Sequence, residues 1–130
     1  MIVLVDHHLE GYIILLQGAL ANGGWLDLLS IRFVLLEEVG LAVDSSDRVV
    51  WRFAQQSQMI LLTANRKMKG RDSLEQTIRE ENAPTSFPVV TIGRVDRLSN
   101  REYREQCAAR LVEIIMYPET CVGVGRVFIP

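Results

Sequence analysis

Apolar, strand-like runs alternate with helical patterns along most of this chain. That alternation predicts an α/β fold, a single three-layer domain with a mainly parallel central sheet flanked by helices. Three observations carry the prediction. Ile2-Val3-Leu4-Val5 and Met59-Ile60-Leu61-Leu62 are unbroken apolar runs, the pattern of strands covered on both faces. Val89-Val90-Thr91-Ile92 is a third such run, set off by the rigid connector Ala83-Pro84-Thr85-Ser86-Phe87-Pro88. The stretches between them place apolar residues at helical spacing, as the crossovers of a parallel sheet require.

Asp6 ends the first run. From Leu9 to Ala21 apolar residues are so dense that only Glu10 and Gln17 mark a polar side, which predicts a largely buried helix or one that packs on a second subunit. Asn22-Gly23-Gly24 stops it. Leu28 to Leu35 alternates like a strand, while Leu35-Leu36-Glu37-Glu38-Val39 is also compatible with a helix start; we assign a strand over 28–35.

Asp44-Ser45-Ser46-Asp47 is a dense helix-start signal. Behind it Val49, Val50, Phe53 and Ala54 share one face, with Arg48, Arg52, Gln55 and Gln56 opposite. After the third-strand run, either Asp72 with Glu75 or Ser73 with Gln76 has capping-box spacing for a helix through Asn82. Ser99 with Glu102 has the same spacing before a long helix on which Tyr103, Cys107, Leu111 and Ile115 recur every fourth residue, with Arg101 and Glu105 paired on its solvated side. Pro118 ends that helix, and Gly123 to Ile129 alternates as a final edge strand.

The composition excludes several classes. All 130 residues are assigned to one domain, 1–130. A formal charge of −2 and a pI of 5.7 give no global attraction to nucleic acid, so any affinity for phosphate must be local. Cys107 and Cys121 lie in no metal-binding spacing, and a reducing cytoplasmic compartment is expected. MIVLVD lacks the basic start of a signal peptide, and no apolar run approaches the roughly 20 residues of a membrane span.

Parallel sheets bind ligands outside the carboxyl ends of their strands. Asp6 and Asn65 each follow a buried run, and Asp47 and Asp72 begin the helices on either side of the Met59 strand. Three carboxylates and an amide at one edge would suit Mg²⁺ or Mn²⁺, ions that take oxygen ligands and can activate water against a phosphodiester. Arg66, Lys67, Lys69 and Arg71 surround Gly70 beside them, a local cluster suited to a phosphate backbone. His7 and His8 follow Asp6 and could reach the mouth of such a site.

VDHHLEG at Val5 to Gly11, SSDRVVWRFA at Ser45 to Ala54 and ILLTANRKMKGRD at Ile60 to Asp72 resemble PIN-like domains, particularly their short bacterial branch, through about residue 95. The resemblance implies an α/β fold whose acidic cluster binds Mg²⁺ or Mn²⁺ for RNA cleavage, as in the toxins of toxin–antitoxin pairs. Carried over by position, Asp6 matches the first-strand acid and Asp47 the acid opening the helix before the third strand. Where the family has Asp at the end of that strand, this chain has Asn65, which brings no charge; either Asp72 compensates from the adjoining helix start or the site is degenerate.

Two functions follow as expectations. One is a metal-dependent ribonuclease with Asp6, Asp47 and Asp72 as its acids, Asn65 as a further metal ligand and the basic cluster holding RNA. The other is a non-catalytic PIN-like module that binds RNA or a protein partner, an antitoxin among the candidates. A homo-oligomer is expected from the apolar helix and the β-rich tail. Receiver domains and haloacid-dehalogenase-type phosphatases need a second acid near Asp6, where His7 and His8 stand instead.

Overall fold

A computed structural model of the protein describes residues 1–64 and 70–130. Five strands, β1 (Ile2–Val5), β2 (Arg32–Leu35), β3 (Ile60–Thr63), β4 (Val89–Ile92) and β5 (Arg126–Ile129), form one parallel sheet in the order β2-β1-β3-β4-β5. The α-helices are α1 (Ile13–Asn22), α2 (Trp25–Leu28), α3 (Asp47–Gln56), α4 (Leu74–Glu81) and α5 (Arg101–Met116). The architecture is the α/β sandwich predicted from the apolar runs, with helices on both faces.

Alternate residues of the central strands feed two cores, as the two-residue period of a strand requires. Val3, Val5, Ile60, Leu62, Val90 and Ile92 pack with α1 and α5. Leu4, Leu61 and Val89 pack on the other face with Val50, Trp51 and Ala54 of α3 and Leu74 of α4. Both faces are covered, so β1, β3 and β4 read as continuous apolar sequence.

The order reverses between β1 and β3. From β1 the chain moves outward to β2; from β3 it moves the other way to β4 and β5. The carboxyl ends of β1 and β3 therefore border a topological switch point. Helix α5 shares its face with α1 although its crossover runs in the opposite direction, so the β4-α5-β5 crossover has the opposite hand from the other three. Since parallel crossovers are right-handed in all but a few cases, the last one is the left-handed exception.

Several boundaries differ from those expected. Residues 28–35 are not one strand: Trp25–Leu28 is a helical turn, Ser30 takes a left-handed φ of 51°, and only Arg32–Leu35 pairs with β1. The Ile31 amide bonds Leu26 O, which closes that turn before the strand can start. Glu37–Val39 is a 3-10 turn. The apolar stretch beginning at Leu9 opens with a 3-10 turn, His7–Leu9, before α1.

The last strand starts at Arg126 rather than Gly123, because Gly123 and Gly125 hold φ values of 84° and 95° that an extended strand does not allow. A Cβ at Gly123 would lie 2.7 Å from Pro84 O, so the chain passes there only as glycine. The cap of α5 is Asn100, whose side chain accepts from Tyr103 N; Ser99 belongs to the preceding 3-10 turn, Val95–Ser99. Asn is at least as good an N-cap as Ser, and it stands one residue closer to the helix. The Arg101–Glu105 pair forms at 3.0 Å on the exposed side.

Candidate functional site

Asp6 caps the 3-10 turn at the end of β1, its Oδ1 accepting from His7 N at 2.8 Å. Its Oδ2 accepts from Thr63 Oγ1 at 2.7 Å, and Asp6 N donates to Leu62 O at 3.0 Å. Thr63 is the last residue of β3 and fully buried. A side-chain bond thus joins the tips of β1 and β3 at the switch point. His7 and His8 are exposed, with His7 Nδ1 3.5 Å from Glu10 Oε1.

Asp47 and Asp72 stand together elsewhere on the same edge. With Ser45, Ser46, Gly70, Arg71 and Ser73 they line a cleft of about 270 Å³ between the N-termini of α3 and α4. The N-cap of α3 is Ser46, which accepts from Val49 N, so Asp47 is the first helical residue rather than the cap. Its Oδ2 instead accepts from Leu74 N at 3.0 Å, satisfying an orphan amide of the neighbouring α4. Ser73 caps α4 through Gln76 N, which selects the Ser73–Gln76 spacing. Gln76 does not return the bond: Ser73 N donates to Gly70 O, and the Gln76 amide nitrogen donates to Glu80.

Asp72 is held by Arg48, which the helical pattern placed on a solvated face. The Arg48 side chain is only 13% exposed. Its Nε donates to Asp72 Oδ1 at 3.0 Å, its Nη2 to Arg71 O at 2.9 Å and to Glu80 Oε1 at 3.1 Å, and its Nη1 to Glu81 Oε2. Arg52 adds a bond to Glu81 Oε1 at 2.8 Å. The planar fork of a guanidinium lets one side chain bind four acceptors at once. The bond to Glu81, with those to Asp72 and Glu80, raises the Arg48 pKa further. The bonds from Gln76 and Arg48 hold Glu80 below the ordinary carboxylate range, and those from Arg52 and Arg48 do the same for Glu81.

Asp47 and Asp72 share a cleft, each engaged by a donor of the fold, and Asp6 is bonded to Thr63 at the switch point. Asn65, Arg66, Lys67 and Lys69 lie outside the described residues. Arg71 is exposed at the cleft. Among the described residues no three His, Cys, Asp or Glu side chains form a group able to hold a metal ion. A hard dication needs several oxygens converging at about 2.0–2.6 Å, and the described acids do not fit that requirement as a set.

Sequence reasoning missed Thr63 and Arg48. The signal for Thr63 was a polar residue completing an otherwise apolar buried strand. For Arg48 it was the pair Arg48 and Arg52, four apart on α3, matching Glu80-Glu81 at the end of α4. Among the described residues no helix is long and apolar enough to cross a membrane. Comparison with protein-family models, curated proteins and solved structures found no match for this chain.

Proposed function

We propose that this chain is a PIN-like binding module that takes RNA at the carboxyl edge of its sheet without cutting it. One observation carries this reading: Asp47 and Asp72, two of the four ligands a nuclease centre would use, hold the start of α4 in place through Leu74 N and Arg48. Asn65 removes the charge at a third position. What remains for recognition is cationic. Arg66, Lys67, Lys69 and Arg71 follow β3 directly in sequence, and Arg71 lines the cleft.

Binding of a labelled single-stranded RNA, followed across salt concentrations in the presence of Mn²⁺, tests this. We expect the RNA to be retained intact. If all four cations contact phosphate, log K should fall with log salt at a slope near about −3, taking roughly −0.7 per contact on a single strand. Failure to bind RNA at low salt would reject the reading in favour of a protein partner.

A second reading, a Mg²⁺- or Mn²⁺-dependent ribonuclease of the PIN-like type, is favoured by Asp6, which follows β1 at the switch point where the resemblance puts the first-strand acid. Mn²⁺-dependent cleavage that disappears in Asp6→Asn would establish it.

A further inference from the structure

The Lys and Arg residues that lie between α-helices and strands are unevenly placed. Arg66, Lys67, Lys69 and Arg71 follow β3, Arg94 and Arg97 follow β4, and the other connections contain none. Strands β3 and β4 are neighbours, with Thr63 in register with Thr91, so both connections leave the carboxyl edge side by side. In a chain of formal charge −2 this is a local concentration of cations, which is what affinity for phosphate requires here.

The connection after β4 holds its cations in place. It is a 3-10 turn, Val95–Ser99, in which Leu98 is fully buried and Val95 packs on the core formed with α1 and α5. Arg94 pairs with Asp96 at 3.1 Å, and Arg104 in the first turn of α5 donates to Leu98 O and Ser99 O. Arg97 differs from both. It is exposed, it has no ion pair among the described residues, and its guanidinium carbon lies 4.9 Å from the centre of the Tyr103 ring. That ring is fixed in turn, since Tyr103 is buried and its hydroxyl accepts from Arg94 N at 2.8 Å.

We infer that Arg97 is a phosphate-binding residue of the RNA site, an anchor on the α1 and α5 side of the carboxyl edge, across the sheet from the cleft that Arg71 lines; the inference rests on the RNA-binding reading above. A guanidinium stacked by one face on an aromatic ring keeps its N–H edge for an oxyanion, and its planar fork matches two phosphate oxygens. Because the stacking already restricts the side chain, ordering it on a ligand costs less than for a free surface arginine. The nearest acid in sequence, Asp96, accepts from both Nε and Nη2 of Arg94, which leaves the Arg97 charge for an outside partner.

Arg97→Gln removes the charge from an exposed side chain and leaves Tyr103 and the helix cap Asn100 in place. Arg110→Gln makes the same change of charge further along α5, away from the carboxyl edge, where Arg110 pairs with Glu113. Fluorescence anisotropy of a labelled oligouridine, titrated with the full chain across salt concentrations, compares them. Arg97→Gln should bind about tenfold more weakly at low salt, with a log K against log salt slope shallower by about 0.7, one phosphate contact on a single strand. Arg110→Gln should match the natural protein. Arg97→Lys, which keeps the charge and loses the stacked fork, should keep the slope and lose part of the affinity. If the natural protein binds RNA and the two Gln variants shift affinity and slope alike, or not at all, the role of Arg97 is overturned while the RNA-binding reading stands. A natural protein that does not bind the RNA at low salt overturns both.

Discussion

Thr63 Oγ1 donates to Asp6 Oδ2 across 2.7 Å, tying together the ends of two parallel strands that are 57 residues apart in sequence. The hydroxyl is buried and its acceptor is a carboxylate. A hydrogen bond to a charged group contributes about 1.5–3 kcal/mol, so Thr63→Val should lower stability by roughly that amount. Thr63→Ser, which keeps the donor, should retain most of it. Urea unfolding of the two variants gives the comparison, and a loss in Thr63→Ser with little or none in Thr63→Val, which keeps the methyl, would mean that the methyl contact rather than the hydrogen bond is what matters.

Arg48 connects α3 with the C-terminal end of α4 and with the segment before that helix. Arg48→Met leaves Asp72, Glu80 and Glu81 without the guanidinium that pairs all three, and among the described residues Arg52 remains as the partner of Glu81. We expect a clear fall in melting temperature. Arg110→Met, which removes an exposed pair within one helix, should leave the melting temperature nearly unchanged. A calorimetric scan in which the two variants behave alike would reduce the Arg48 cluster to ordinary surface charge.

The same cluster sets a pH dependence. Bonds from Gln76 and Arg48 lower the Glu80 pKa in the folded protein, and bonds from Arg52 and Arg48 lower that of Glu81. Groups with depressed folded pKa values contribute stability above the unfolded value, about 4.3 for Glu, and lose it as pH falls through the folded value. Stability should therefore drop on acidification below about pH 4.3, and more steeply in the natural protein than in Arg48→Met. Urea midpoints measured from neutrality down to acid pH provide the test, and parallel curves would contradict it.

Asp47→Ala removes the acceptor for Leu74 N while Ser73 still caps Gln76 N. Loss of one such cap should cost about 1 kcal/mol. Hydrogen exchange should report it as faster exchange of the Leu74 amide with little change in α5. Uniform acceleration across the protein would mean that the bond is not a local fastening.

The fold was legible where burial is complete. Ile2–Val5, Ile60–Thr63 and Val89–Ile92 lie between two helical layers, so their sequence is continuously apolar and admits little else. Residues 25–35 were harder, because their course depends on left-handed backbone at Gly24 and Ser30, and a serine in that conformation carries no sequence signature. The edge that holds the candidate site was legible from Asp6, Asp47 and Asp72. Their engagement was not, since Asp47 bonds an amide 27 residues away and Asp72 an arginine 24 residues away, and only the packing of α3 on α4 sets those pairs. Local patterns put Arg48 in solvent for the same reason.

On the reading we propose, the acids at the carboxyl edge are engaged by the fold rather than gathered around a dication, and direct Mn²⁺ binding tests this. In a calorimetric titration of the natural protein, with Asp6→Asn in parallel, we expect no site tighter than about 1 mM and no difference between the two. A micromolar Mn²⁺ site that is lost in Asp6→Asn would contradict the claim.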